Sequence, residues 1–501
     1  MPVTSERELR KRLRAVRSER RLRIPIAGVA GPATPRERWA LAGILVAAIA
    51  LRVWGLATFP LDQDELYTAA EARDLWHVAL WPGIHARPAF FLLQHALLWI
   101  VPPTPLGLRA APFLFGVLGV AAVWMLARRV FGPAAALSAA VLVSLSPWHL
   151  FESGFARYWS LLFLLGALFP LALWEAYGRG RNRDFAVALA VLAVGTATHP
   201  SFVFPAAGAA LGVTLVRADG RLGWRWPSRR AWVRLWLPYA ALLVAGWFAL
   251  KLTGHGGAMQ NWSGRGIDAT LRLIPAIAEW LGPAVAVAAV LGAAAALASA
   301  DAGRRRWGMM AACGGGVTLA ALLFAATRTD VYADYAVAML PLAFVSAGGL
   351  VASITERMTS GRAWAAAAAT AVVCAAMLPA TASQLSSGTR FDYRPAFAYL
   401  RRHAQGNTVM AWPAVIADHY AADLRPRELR MQAPILDRTL AESGELWIVA
   451  SVQRYGMLRD DDGAVTAWLA RHCTAEASFE HPRWDYRIYR VVVHRCVAAR
   501  R

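Results

Sequence analysis

The sequence predicts an all-α polytopic membrane protein of about 11–13 transmembrane helices, followed by a small C-terminal α/β domain outside the bilayer. Three observations predict it. Of 501 residues, 57% are hydrophobic and only 17% charged, and the apolar residues gather into runs of about twenty, the length that crosses a hydrocarbon core. The net charge of +21 comes from arginines that fall between those runs. From about residue 388 the composition changes, with more charge, interrupting prolines and short alternating stretches in place of long apolar ones.

A positive balance of this size also occurs in proteins that bind nucleic acid. Here the arginines lie in ERELRKRLRAVRSERRLR, LARRVFG, YGRGRNRD, RADGRLGWRWPSRR and DAGRRR, and Lys11 and Lys251 are the only lysines. Basic clusters at the ends of apolar runs are those of cytoplasmic loops, which argues for membrane lipids as surroundings and against nucleic acid as a partner. The 22 Trp suit the water–bilayer boundary, where an amphipathic ring is most stable.

In chain order, residues 1–37 form a basic cytoplasmic leader; residues 1–24 are too charged, and the first apolar run too long, for a cleaved signal peptide. The first apolar run, Trp39–Ala57, is read as a retained signal anchor of the cell inner (plasma) membrane. The membrane domain occupies 38–384, with a first outer loop at 58–105. That loop holds an amphipathic segment around Tyr67–Leu80, then Arg87-Pro88. The run Ala89–Val101 is too short to cross and is read as re-entrant or interfacial. Spans follow at about Leu106–Ala127, Ala134–Leu150, Trp159–Tyr177, Phe185–Thr198, Phe202–Val216, Trp232–Leu252, Ile274–Ala300, Trp307–Ala326, Tyr335–Ser353 and Ala363–Ala380. With 89–101 left uncrossed, every arginine cluster falls on the cytoplasmic side. The loop Thr253–Arg272 reads as a linker or as a flap over a site.

The tail, 388–501, is an extracytoplasmic α/β domain joined through Ser386–Gly388. Strands are expected at Thr408–Trp412, Leu446–Ser451 and Tyr486–Val493, and helices at Pro413–Ala422 and Ala464–Arg471. Cys313 and Cys374 lie in apolar runs and read as packing residues. Cys473 and Cys496 leave a disulfide open if the tail lies in an oxidising compartment.

The stretch FPLDQDELYT places Asp62, Asp64 and Glu65 at the end of the first span. Carboxylates at such a mouth are costly unless they face water, a cation or a substrate. They read either as a solvated loop that stops the helix from sinking or as the catalytic loop of an enzyme acting on a lipid phosphate. The second reading needs a base for an incoming hydroxyl and cations for the phosphate. Asp64 is the candidate base, Glu65 a second catalytic acid and Asp62 a substrate contact. Arg87 and Arg157 are candidate phosphate ligands, and His199, Glu152 and Tyr158 complete the substrate set. Plainer readings stand beside each: Arg87 anchors a short helix, Arg157-Tyr158-Trp159 starts an interfacial helix with Glu152 as ion partner, and His199-Pro200 is a turn. Neither HxxxH nor paired CxxC spacing is present, so no cofactor is called; the three acids leave a divalent cation open.

Four stretches carry a family likeness: Asp64-Glu65; RPAFFLLQHALLW; LGLRAAPFLFGVLGVAAVWMLARRVFG with Arg109 and Pro112; and LSPWHLFESGFARYWSLLF from Ser146 to Tyr158 and beyond. They span about residues 38–200, with weaker likeness to about 355. The chain resembles the GT-C superfamily of polyprenyl-phosphate-dependent glycosyltransferases, in the branch of bacterial aminoarabinose transferases, protein O-mannosyltransferases and lipopolysaccharide core galacturonosyl transferases. The resemblance implies a GT-C type fold and inverting sugar transfer from a polyprenyl-phosphate-linked donor, with Asp64 as base. The acceptor would be a glycolipid, glycan or protein of the cell envelope, on the outer face. Two departures stand out. The lysine that opens the family's KPP segment is absent and Arg87 stands closest, and Asp334 stands where many relatives carry arginine. Two further function classes remain, a non-catalytic envelope assembly protein of the same fold and a lipid-linked sugar transporter or flippase. The latter calls for charged or broken helices at the midplane and for repeat symmetry, which the sequence does not display.

Overall fold

The computed structural model describes residues 31–75, 87–216, 221–223, 232–241, 244, 266–327, 331–359, 363–388, 390–404, 406, 408–412, 414–424, 427–428, 432–453, 456–457, 463–482 and 488–498. The leader up to residue 30, the second half of the span expected at Trp232–Leu252 apart from residue 244, and the loop that follows to residue 265 lie outside the described residues. The molecule is mostly helical. Helices α1 (Pro35–Val53), α2 (Gln63–Arg73), α3 (Pro88–Leu98), α4 (Pro105–Phe131), α5 (Pro133–Leu145) and α6 (Pro147–Ser153) form the first part, and α7 (Trp159–Arg179), α8 (Asn182–Thr198) and α9 (Val203–Thr214) follow. After these come α10 (Gly266–Leu281), α11 (Pro283–Leu297), α12 (Ala302–Ala326), α13 (Leu340–Thr359) and α14 (Ala363–Ser387).

Local sequence chemistry explains where these helices start. Pro35, Pro88, Pro105, Pro133, Pro147 and Pro283 each open a helix, at the position where a missing N–H costs nothing. Thr34, Thr104, Ser146 and Asp301 cap α1, α4, α6 and α12 with a side-chain oxygen, satisfying donors that the first turn leaves open.

Among the described residues, α4, α7, α12, α14 and the segment Ala333–Glu356 are long and apolar enough to cross a membrane. Two bent pairs bring the number to seven if each counts as one span. Both pairs correct an expected straight span. The run Ala134–Leu150 breaks between α5 and α6 with a 65° bend, and the run Ile274–Ala300 breaks between α10 and α11 with a 99° bend. The cause is the same: the residue before a proline is pushed out of the helical region. Ser146 takes ψ 119° before Pro147, and Gly282 takes φ +90° before Pro283, a conformation open to glycine. The short run expected at Ala89–Val101 is the 11-residue α3, about half the length a span requires. Small residues let the bundle close tightly. Gly208 and Gly212 of α9 lie against the backbone of Cys313 and Met309 in α12, and Gly292 of α11 against the Ser346 carbonyl.

Beyond α14 come α15 (Arg394–His403), β1 (Thr408–Trp412), α16 (Ala414–Tyr420), β2 (Arg427–Glu428), α17 (Ala433–Ser443), β3 (Glu445–Gln453), β4 (Gly456–Met457), α18 (Ala464–His472), β5 (Cys473–Pro482) and β6 (Ile488–Val497). The sheet runs β2-β1-β3-β6-β5, with β4 on the end of β3. β1 is parallel to β2 and β3, whereas β3, β6 and β5 are antiparallel. The expected strand Thr408–Trp412 is β1, the other two overlap β3 and β6, and both expected helices are present as α16 and α18. β5 went unanticipated because its CTAEASFEHP alternates charged and small residues rather than large apolar ones. Cys473 and Cys496 face each other in the β5–β6 register and are joined by a disulfide.

The tail packs directly on the first loop. Leu61, Leu66 and Ala69 around α2 share one apolar core with Leu108, Ala156, Phe391, Phe397, Ile416 and Val493. The Tyr420 hydroxyl donates to the Leu61 carbonyl at 3.0 Å. Burying apolar surface from both sides fixes α2 between bundle and sheet, and α2 carries the acidic stretch.

Candidate active site

Asp62 and Glu65 build the start of α2. The Asp62 side chain accepts the Asp64 N–H at 3.0 Å, and the Asp62 N–H donates to Glu65 Oε2 at 3.0 Å. This reciprocal capping box fixes the turn from which Asp64 projects. Glu65 is placed otherwise than expected for a second working acid. Its side chain is fully buried, and Arg109 of α4 grips both oxygens at 2.7 Å. Glu65 Oε1 also accepts the Ala156 N–H at 2.9 Å. Arg109 spends its remaining donors on the carbonyls of Leu56, Phe59 and Pro60 at 2.9–3.0 Å. A bidentate pair with every donor and acceptor occupied is a rivet between α2, α4 and the α6–α7 connection.

Asp62 is likewise fully buried, and Arg390 holds its two oxygens at 2.8 and 3.2 Å. Arg390 also donates to Asp64 Oδ2. Asp64 is the open member of the trio, with its side chain 30% exposed. Burial pushes the Asp64 carboxyl up, but Arg390, then Arg157 and Arg87, outweigh it and hold it down at about 2. Burial raises the Asp62 carboxyl, against the pull of Arg390. The charge that Arg390 neutralises at Asp64 is therefore a carboxylate at any physiological pH.

Arg157 and Arg87 converge on one ring. The Arg87 guanidinium lies 4.7 Å from the Tyr158 centroid and that of Arg157 lies 5.3 Å from it, within cation–π range. Arg157 donates to Thr68 Oγ1 at 3.2 Å, one turn past Asp64 on α2. Both arginines bury an Nε–H without a partner. The ring of His199 stacks on Tyr158 at 5.1 Å and meets Tyr335 at 5.2 Å. Its Nδ1 accepts the Ser201 N–H at 3.1 Å, so the imidazole is neutral and carries its proton on Nε2. Glu152 lies on α6, where its Oε1 accepts the Trp148 indole N–H at 3.1 Å. The acids whose charges act most on Arg157 are Asp64 and Glu71.

The three acids of the loop do not fit a divalent cation. Guanidinium and backbone donors occupy the oxygens of Asp62 and Glu65, leaving Asp64 alone. Among the described residues no group of three or more His, Cys, Asp or Glu is placed to hold a metal ion.

Sequence reasoning missed two members of this cluster, Arg390 and Glu71. Arg390 follows the last membrane helix and nothing near it in sequence points to the first loop. Glu71 had a readable signal, since it stands seven residues after Asp64 and so on the same helix face.

No family model matches the chain, and no curated protein matches it. Solved structures do. The apo structure of ArnT from Cupriavidus metallidurans superposes with a TM-score of 0.55 at 14% identity, covering 92% of this chain and 98% of ArnT. ArnT from the same organism bound to undecaprenyl phosphate gives 0.55 at 13%, covering 93% and 99%. The Archaeoglobus fulgidus oligosaccharyltransferase gives 0.48 at 14%, covering 82% of this chain and 67% of that one. A likeness over nearly the full length of both chains, at so low an identity, concerns the fold. The chain is a multi-pass membrane protein with an ArnT-like fold.

Proposed function

We propose that the protein is an inverting glycosyltransferase that moves a sugar from a polyprenyl-phosphate donor to an acceptor hydroxyl on the extracytoplasmic face of the inner membrane. One observation carries the reading: an ionised and partly exposed Asp64 carboxylate surrounded by Arg390, Arg157 and Arg87. The family likeness of the motifs and the ArnT-like fold support it, as does the undecaprenyl phosphate bound by ArnT itself. Residues 1–37 would then be cytoplasmic and the tail domain would cover the site from outside.

In the proposed reaction Asp64 takes the proton of the acceptor hydroxyl. The hydroxyl oxygen forms a bond to the anomeric carbon, and the bond from that carbon to the phosphate oxygen breaks on the opposite side. The electron pair leaves on the lipid phosphate, whose growing charge the arginines meet. An empty-site pKa near 2 makes Asp64 a weak base, and a useful base has a pKa nearer the working pH. A phosphate that engages the same arginines screens them from Asp64 and raises its basicity, so donor binding itself arms the base. Arg87 and Arg157, each with an unpartnered Nε–H, are the proposed phosphate ligands, and the neutral His199 offers its Nε2–H to the donor. Glu65 and Asp62 act as positioning residues through Arg109 and Arg390.

The test is sugar transfer from a panel of undecaprenyl-phosphate-linked sugars by the purified protein and by Asp64→Asn. We expect the variant to fold, bind lipid phosphate and lose about 10²–10⁴ in rate. Full activity in Asp64→Asn would remove Asp64 from the base role.

A further inference from the structure

Helix α2 carries a fourth carboxylate that this reaction does not use. Glu71 is 4% exposed, and its Oε2 is buried without a hydrogen-bond partner. The charges acting on it are those of Arg157, Arg87 and Asp64, yet among the described residues it closes an ion pair with neither arginine. Burial outweighs both cations and pushes the Glu71 carboxyl up to about 7. A buried carboxylate oxygen without a partner, on an acid that feels the charge of two guanidiniums with a spare N–H each, is an unusual thing to leave unpaired.

Charge counting gives it a role. With every group ionised, Arg87, Arg157 and Arg390 balance Asp62, Asp64 and Glu71. A donor phosphodiester brings one more negative charge. A proton on Glu71 restores neutrality and converts a group that only accepts hydrogen bonds into one that donates. The balance survives turnover. The phosphomonoester product carries up to about two negative charges, and by then Asp64 holds the proton of the acceptor.

We propose that Glu71 is a proton-carrying residue of the donor site: a lipid phosphodiester lying between Arg87 and Arg157 places one proton on Glu71, and the resulting carboxylic acid donates a hydrogen bond to the phosphate. The proposal rests on the donor reading above and adds the linkage to pH.

Among the described residues, the other charged and titratable groups around Glu71 are few. Helix α3 supplies Arg87 at its start and His95, whose Nδ1–H donates to the Ala72 carbonyl at 2.7 Å. The α6–α7 connection supplies Arg157 and Tyr158, and behind them His199 is neutral by its bond from Ser201. Asp64 is on the same helix, with Arg390 bound to it and to Asp62. From α16, Tyr420 is engaged at Leu61, and Asp418 and His419 are exposed.

The test uses methyl undecaprenyl phosphate, a diester that does not itself titrate near neutrality, with the full chain in detergent. Wild-type affinity is measured calorimetrically from pH 5.5 to 8.5 in two buffers of different ionisation enthalpy. We expect affinity to fall about tenfold per pH unit above 7, with close to one proton taken up at pH 8 and little at pH 6. Glu71→Gln is expected to bind with no such slope and to exceed wild type at pH 8. Wild-type affinity that is flat with pH, or a slope that persists in Glu71→Gln, overturns the role of Glu71 and leaves the donor reading intact. Absence of binding by wild type at every pH overturns the donor reading, and this proposal with it. If Glu71→Gln does not fold, the wild-type proton count alone decides: no uptake at pH 8 sinks the proposal.

Discussion

Asp64 and Arg390, 326 positions apart in the sequence, share a hydrogen bond at the mouth of the bundle. The same guanidinium closes on Asp62, so the first loop and the residue that opens the tail domain form one electrostatic unit. The chain thus places a cation on its own candidate base and sets the state from which any reaction must start.

Removing that cation should move a titration. In Arg390→Ala the carboxyl of Asp64 loses the strongest of the charges holding it down, so its pKa rises by about one to three units. The acid limb of the kcat/KM–pH profile, which reports the free enzyme, should move from below the accessible range to about pH 4. Arg390→Lys, which keeps the charge, should restore most of the original profile. An unmoved limb in Arg390→Ala would mean that Arg390 does not govern Asp64.

Arg109 predicts stability. Arg109→Met leaves Glu65 buried without its counter-ion, a change that costs about 3–5 kcal/mol. Arg109→Met combined with Glu65→Leu should recover part of that loss, since no charge is then stranded. Recovery stays incomplete because Arg109 also satisfies three backbone carbonyls. Thermal unfolding in detergent, followed by near-ultraviolet circular dichroism, compares the two variants.

How much of this was legible follows a physical line. The helix starts and the apolar runs depend on local composition, and helices stand where most of those runs lie among the described residues. The bends before Pro147 and Pro283 were also local, but a hydropathy window averages over a single Ser-Pro or Gly-Pro step. The acids of the loop could be found but not ranked. Asp62, Asp64 and Glu65 look alike in sequence; what separates them is which arginine reaches each one, and Arg109 and Arg390 arrive from distant helices. Charge pairing over such separations leaves no periodic trace. The pairing of Cys473 with Cys496 stayed open for the same reason until β5 and β6 brought them into register.

Glu71 gives the molecule a pH-dependent stability of definite sign. Its folded pKa of about 7 lies above its ordinary value of 4.5, so the folded state holds the proton more tightly than the unfolded chain. The resulting stabilisation is complete below about pH 4.5 and is lost as pH rises through 7. The thermal midpoint of wild type should therefore fall across that window relative to Glu71→Gln, with the two curves converging on the acid side. Parallel curves would place Glu71 outside this account.

The disulfide predicts a local effect. Cys473→Ser or Cys496→Ser opens a loop with a sequence separation of 23, and the tail domain should lose about 2–4 kcal/mol. Limited proteolysis should then cut within residues 463–498 of the variant sooner than in wild type, while the fragment pattern of the helical bundle stays the same.

Arg390 also dates the assembly of the site during synthesis. Asp64 emerges with the first loop, but the guanidinium that holds it is made only after the last membrane helix. Until then a half-finished chain holds Asp62 and Asp64 without the arginine that bridges them. The ribosome must pass residue 390 before the charge cluster is complete, so a truncated product could sit in the membrane, helices in place, and still have no assembled centre.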